Sequence, residues 1–305
     1  MKFFSLILLP ITVLLACTTC AKQEGLCIYI TGDVMLDRGI RKQINRQGFQ
    51  KLFEGVKTPL KKADAVVINL ECPLCATEKK VQKPFTFRGE PSWADSLKAA
   101  GVTHACLANN HTYDQGAEGL AETIRQLKRV GIVPIGAGRT KEERIHPAFI
   151  GCGANRLALY SISFLSTRRF SNKVGSEGIC NTSATELGKH IAQLKLQEPH
   201  TKVVVLPHWG TEYCLYNTPL QKEQADTLTK AGADLIVGHH PHVVQNTDTL
   251  NGKTIFYSLG NFIFDQVEKE DKKVALLELK LEGGAISTLL IPLKIKHFTP
   301  FLTTE

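Results

Sequence analysis

The chain has 305 residues, 43% of them hydrophobic and 22% charged, with a formal net charge of +8. That length suits one large α/β domain or two small ones, and that apolar share builds a buried core, which excludes a disordered chain. No run of five or more Lys and Arg occurs, which gives no sign of a nucleic-acid stripe and leaves two readings of the basic charge: an anionic lipid surface or substrate as its partner, or solubility alone.

Residues 1–21 read as a targeting segment. Lys2 precedes the apolar stretch Phe3–Ala16. About 14 apolar residues are too few to span a bilayer and match the apolar part of a secretory signal. The stretch closes on Leu14-Leu15-Ala16-Cys17, which resembles the bacterial lipobox. The resemblance implies cleavage before Cys17, acylation of its thiol and an exported protein held on the cell membrane by its lipid; the alternative is an ordinary signal peptide cut near Ala21. The expected divisions are a signal peptide at 1–16, a linker at 17–25, one domain at 26–296 and a tail at 297–305. Losing Lys2 leaves 36 basic against 29 acidic residues, a balance of +7.

The pattern then alternates strand and helix. A strand at 26–31 precedes a helix around 37–54. A strand at 65–70 leads through an irregular stretch, 71–90, to a helix near 91–100. A strand at 102–107 meets a helix near 116–130, where Ala117, Leu120, Ile124 and Leu127 recur at helical spacing. Short strands are expected at 134–137, 149–152 and 157–162, a surface loop with Arg168, Arg169 and Lys173 at 164–183, and a helix at 184–197. A strand at 203–207 precedes a helix opened by Thr218-Pro219-Leu220-Gln221, a capping box with proline at the first helical position. After a strand at 234–238, the segments 254–257, 274–281 and 286–296 read as antiparallel strands. This order predicts an α/β fold with a parallel sheet, which the later hairpins extend or double.

Five of the apolar runs break off into residues that bind metals. They end at Asp33, at Glu71, at Asn109-Asn110-His111, at His208 and at His239-His240-Pro241-His242. Ligands of open α/β sheets bind beyond the carboxyl ends of the strands, so five such ends predict one converging site. Asp33, Glu71, Asn110, His208, His240 and His242 offer two carboxylates, an amide oxygen and three imidazoles. That mixture suits Mn, Fe or Zn rather than calcium, and six donors suit two divalent ions with a shared carboxylate. His111, beside Asn110, can face substrate and protonate a leaving group, with Asp114 orienting its ring. Of nine cysteines, Cys72 and Cys75 form a C-x-x-C pair without a second pair to complete a zinc site. A disulfide or plain packing is expected there rather than redox catalysis.

The motifs resemble the CapA-type capsule-synthesis proteins associated with poly-γ-glutamate, within the calcineurin-like metallophosphatase superfamily. The resemblance rests on Gly32-Asp33-Val34-Met35, Asn69-Leu70-Glu71-Cys72-Pro73, Ala108–Asp114, His208–Tyr213, Gly238–Gln245 and Ser258–Phe262. It implies a four-layer α-β-β-α sandwich. It carries Asp33 over as a first-metal ligand, Glu71 as the bridge, Asn110 and His208 as second-metal ligands, His240 and His242 as the closing H-x-H, and His111 as general acid. Two departures stand out. The superfamily's first motif is Asp-x-His, where this chain has Met35, and its bridge is Asp, where this chain has Glu71. Asp37, Glu212 or His239 are the candidates to fill the gap. Glu212 and Asn261 belong to the CapA pattern as pocket residues, and Arg88 is a candidate clamp for phosphate or carboxylate.

The resulting expectation is a metal-dependent hydrolase acting on a phosphoester or amide of an anionic cell-envelope polymer, alongside polymer-synthase components. The alternative is a non-catalytic accessory protein that binds poly-γ-glutamate or a similar acidic polymer.

Overall fold

The computed structural model describes residues 25–167, 177–265 and 274–303. Cys17, the signal segment and Arg168, Arg169 and Lys173 of the expected loop lie outside the described residues.

Strand Leu26–Val34 is buried on both faces. Its side chains alternate between two cores, as the two-residue period of a strand requires. Ile28 and Ile30 meet Val67, Leu157, Leu159, Val204, Leu206, Leu235 and Val237 in a core between two sheets. Tyr29, Val66, Ile68, Val203, Val205 and Ile236 point the other way, into a core shared with the helix residues Ile40, Leu97, Leu120, Ile191 and Leu228. Each such aliphatic side chain contributes about 1.5–3 kcal/mol on burial. The result is the expected four layers, helix–sheet–sheet–helix.

The first sheet runs in the order Thr299–Leu302, Ala285–Lys296, Val274–Glu282, Leu26–Val34, Ala65–Leu70, His104–Cys106, Val133–Ile135, with Asn261–Ile263 also against Leu26–Val34. The second runs Thr247–Leu250, Lys253–Phe256, Leu235–Val237, Lys202–His208, Leu157–Ser163, Ala148–Ile150. The parallel strands are therefore divided between two sheets. The late hairpin Val274–Glu282 with Ala285–Lys296 extends the first, antiparallel to Leu26–Val34.

Several elements differ from expectation; Lys253–Phe256, expected to be antiparallel, pairs in parallel with Leu235–Val237 on one side. The helix expected at 37–54 ends at Gln47, because Gly48 takes a φ of +83°, a conformation glycine adopts at no steric cost. A 3-10 helix, Phe49–Val56, follows and buries Phe49, Leu52, Phe53 and Val56. Within the expected tail, Thr299–Leu302 forms an edge strand, and Gln43 Nε2 donates to Thr299 Oγ1 at 3.2 Å. Asn261–Ile263 pairs in parallel with the end of Leu26–Val34, setting Asn261 beside Asp33. Strands of three or four residues are too short for an alternating pattern to declare them. The capping box at Thr218 and Gln221 forms as expected.

The cysteine pair is packing. Cys72 and Cys75 are free and buried. Burial raises both thiols, Cys75 to about 12, so neither is a reactive thiolate near neutrality. Among the described residues, no helix is long and apolar enough to cross a membrane.

Candidate metal centre

The strand carrying Asp33 slips register against Ala65–Leu70 between Ile30 and Asp33. Such irregularities re-aim side chains next to functional sites. Gly32 sits in the slip, and a Cβ there would lie 1.9 Å from the Gly260 carbonyl oxygen, so only glycine lets the two backbones approach. Asp33 N then donates to Gly260 O at 2.9 Å, and the carboxylate is fully buried beyond the sheet edge.

The other strand ends deliver their side chains to the same place. Asn69 Nδ2 donates to Asp33 Oδ1 at 2.8 Å and to Glu71 Oε1 at 3.2 Å, and lies 3.3 Å from His208 Nδ1. Asn109 Nδ2 donates to Leu70 O at 2.8 Å, while its Oδ1 accepts from His111 N at 3.0 Å. That fixes the loop after His104–Cys106, and Asn110 Oδ1 comes to 2.9 Å from His208 Nε2. From the second sheet, His208 Nε2 is 3.4 Å from Glu71 Oε1. His240 donates its backbone N–H to Asp33 Oδ2 at 3.3 Å, and His242 Nδ1 lies 3.3 Å from the same oxygen and 2.8 Å from Asn261 Oδ1. His240 and His242 take φ of +99° and +59°, backbone strain of a kind that persists where surrounding structure enforces it. All six predicted ligands are thus brought together.

Burial couples the charges of this cluster tightly. Burial pushes the Glu71 carboxyl well above its ordinary range, and the Asp33 charge adds to that. For Asp33, burial is outweighed by the hydrogen bond and charge of His242, and its carboxyl falls below the ordinary range. Burial lowers His242, yet Glu71 and Asp33 raise it to about 9. Burial and neighbouring imidazoles push His208 well down, and His240 to about 4. His208 and His240 are therefore neutral near pH 7, the form that binds metal. Glu71 Oε2 and His240 Nδ1 are buried with no hydrogen-bond partner, a costly arrangement unless a ligand satisfies them. Two triads, Asp33–Glu71–His242 and Glu212–His240–His242, hold their donor atoms within 4.8 Å of one another. The donor set fits divalent ions of the Mn, Fe or Zn class.

Beside this cluster, His111 Nδ1 is 2.9 Å from Asp114 Oδ2. Phe87 stacks on the imidazole with centroids 4.3 Å apart, and Phe87 N donates to Asp114 Oδ2 at 2.6 Å. Lys83 pairs with Asp114 and donates to Asn110 O at 2.9 Å. Burial lowers His111 against the raising pull of Asp114. Lys83, Phe87, Asn69 and Asn109 are the residues that sequence reasoning missed as parts of the site. The two asparagines lay inside the quoted motifs, but nothing in spacing marks an amide as the hub of a network.

Other candidates are placed elsewhere. Arg88 spends its guanidinium on Cys75 O at 3.1 Å, Glu90 at 3.1 Å and Glu78 at 3.3 Å, so it is not brought to the cluster as a clamp. Asp37 caps the first helix and accepts from Arg88 N at 2.9 Å. His239 Nε2 lies 2.9 Å from the Thr31 carbonyl. Met35 is fully buried in the helix-side core. Of the three candidates for the gap, only Glu212 reaches the imidazoles.

The chain is similar to several proteins of known name. The family model described as "Bacterial capsule synthesis protein PGA_cap" matches residues 27–266. The capsule biosynthesis protein CapA of Bacillus anthracis is 32% identical over 286 residues, 92% of this chain and 70% of that protein. The PGA biosynthesis protein CapA of Bacillus subtilis is 28% identical, covering 91% and 74%. A Mycobacterium tuberculosis protein named a probable polyglutamine synthesis accessory protein is 27% identical, covering 77% and 67%. Among solved structures, a Staphylococcus aureus protein described as a candidate 5'-nucleotidase, in complex with alpha-ketoglutarate, superposes with a TM-score of 0.56. At 14% identity, covering 92% of this chain and 55% of that one, it shares the fold. With its metallophosphatase-type sandwich and its converging carboxylates and imidazoles, the chain belongs to the bacterial capsule synthesis protein PGA_cap family.

Proposed function

We propose that this chain is an exported, membrane-anchored, metal-dependent hydrolase that cuts a phosphoester or amide bond of an anionic cell-envelope polymer during capsule or poly-γ-glutamate synthesis. One observation carries the hydrolytic part: a buried imidazole, His111, fixed by Asp114 at 2.9 Å beside the cluster. A pure binder has no need of it. Asp33, Glu71, Asn110, His208, His240 and His242 are the residues that would hold two divalent ions. Bound there, the ions would stabilise charge developing on a phosphoryl or carbonyl oxygen. With Nδ1 held 2.9 Å from Asp114 Oδ2 and 3.2 Å from Lys83 Nζ, His111 keeps Nε2 for the proton that goes to the leaving oxygen or nitrogen as water adds. Phe87 excludes water from one face of that ring.

Purified protein incubated with phosphodiester and γ-glutamyl amide substrates is expected to turn over one class, to lose that activity on chelation and to regain it with Mn or Zn. Metal-dependent binding of an acidic polymer without any cleavage would instead establish the accessory reading. That second reading draws on Met35, which stands where the resembled phosphatases have the first-motif histidine, and on the name of the mycobacterial relative. The anchor rests on Cys17 and the apolar segment before it. The Cys17→Ser variant is expected to leave the membrane fraction; unchanged fractionation would reject the anchor.

A further inference from the structure

Glu212 belongs to no ligand position of the superfamily pattern, yet it reaches the H-x-H loop from the solvent side, opposite the buried Asp33 and Glu71. Its oxygen and a ring nitrogen from each of His240 and His242 lie within 4.8 Å of one another. The loops that carry them are tied together. Trp209 N donates to His239 O at 3.1 Å, and Tyr213 N donates to Pro241 O at 2.8 Å. Between those bonds Gly210 turns with a φ of +84°, which swings Glu212 back over the imidazoles. A second observation points to a ligand. His240 is 6% exposed, and its Nδ1 is buried without a hydrogen-bond partner.

We propose that Glu212, His240 and His242 form a seat for a divalent ion of the zinc, manganese or iron class at the solvent side of the centre. Two imidazoles and one carboxylate form a frequent three-ligand set for such ions, with the remaining positions open to solvent or substrate. His242 is common to this triad and to Asp33–Glu71–His242, so the two triads are an outer and an inner seat for one ion. The superfamily fixes the inner seat with a first-motif histidine. Here that position is Met35, whose sulfur accepts from Asp37 N at 3.0 Å inside the core. Glu212 supplies from outside the ligand that Met35 withholds. It thereby moves the ion toward the surface from which a large polymer must approach. This inference rests on the metal-centre reading of the proposed function.

The test is a cobalt titration of the metal-stripped full chain, followed by visible absorption and by stoichiometry after dialysis, for wild type, Glu212→Gln and Asn110→Ala. Glu212 is exposed, so its variant keeps the metal-free melting temperature. Glu212→Gln is expected to weaken one equivalent of cobalt by about 10–100-fold and to alter its absorption bands, leaving the other equivalent unchanged. Asn110→Ala is expected to weaken the other. A Glu212→Gln variant that binds two equivalents like wild type overturns this inference and leaves the metal-centre reading intact. A wild type that binds no cobalt overturns both.

Discussion

Replacing His111 by alanine is expected to lower turnover about 10²–10⁴-fold, the usual worth of a positioned acid or base, with bound metal unchanged. The two readouts separate because the His111 ring is engaged by Asp114, Lys83 and Phe87 rather than by the six ligands. Its Nδ1 faces Asp114 at 2.9 Å, while its neighbour Asn110 directs Oδ1 to His208 at 2.9 Å. Asp114→Asn is expected to cost part of the same factor, since an amide neither fixes the tautomer nor supports the protonated ring. Lys83 also pairs with Asp114, so the carboxylate is shared between a fixed cation and the imidazole. Steady-state kinetics with elemental analysis of each variant checks this. A His111→Ala variant with full activity, or one that has lost its metal, would reject the assigned role.

Glu71→Gln is expected to raise or maintain the stability of the metal-free protein while abolishing its stabilisation by added ions. In the metal-free chain Glu71 is fully buried, faces the Asp33 charge and keeps Oε2 unpartnered. Its carboxyl is pushed above the ordinary range, so its contribution to stability is largest when protonated and is lost as pH rises through the folded-state value. A neutral amide of the same shape removes that cost and still accepts from Asn69. The price is the ligand. Ions at a hundredfold excess over Kd stabilise by about 2.7 kcal/mol, or about 5–10 °C for a domain of this size. Thermal melts with and without Mn or Zn, at two pH values, read both effects. A variant that melts lower when metal-free and keeps the full ion-induced shift would contradict the assignment.

Much of the site was legible because its signals are local. An apolar run that ends on a carboxylate or imidazole is common on its own, and it is the recurrence of such ends at Asp33, Glu71, His208 and the His240–His242 loop, at successive expected strand ends, that marked a site. Sheet membership was not legible, since Val67 and Val204 obey the same two-residue period although their strands lie in opposite sheets of one core. The irregular stretch 71–90 hid the most. Arg88 and Lys83 both lie in it, and sequence offers no way to tell which cation turns inward. The structure gives Lys83 to Asp114 and Arg88 to Glu90. Asn69 and Asn109 were passed over for a similar reason, because an amide's role is set by partners 36 to 40 residues away. The break at Gly48 was readable in principle, but the apolar residues Phe49, Leu52, Phe53 and Val56 continue a helix-like spacing that masks it.

The central claim is that the strand ends converge on a cluster built to hold divalent ions. Elemental analysis of protein purified without chelator, with its Glu71→Gln variant prepared in parallel, tests that claim most directly. The account predicts up to two equivalents of Mn, Fe or Zn per chain in the wild type and a loss of at least one in the variant. Wild-type protein that carries no transition metal and takes none up on incubation would contradict it.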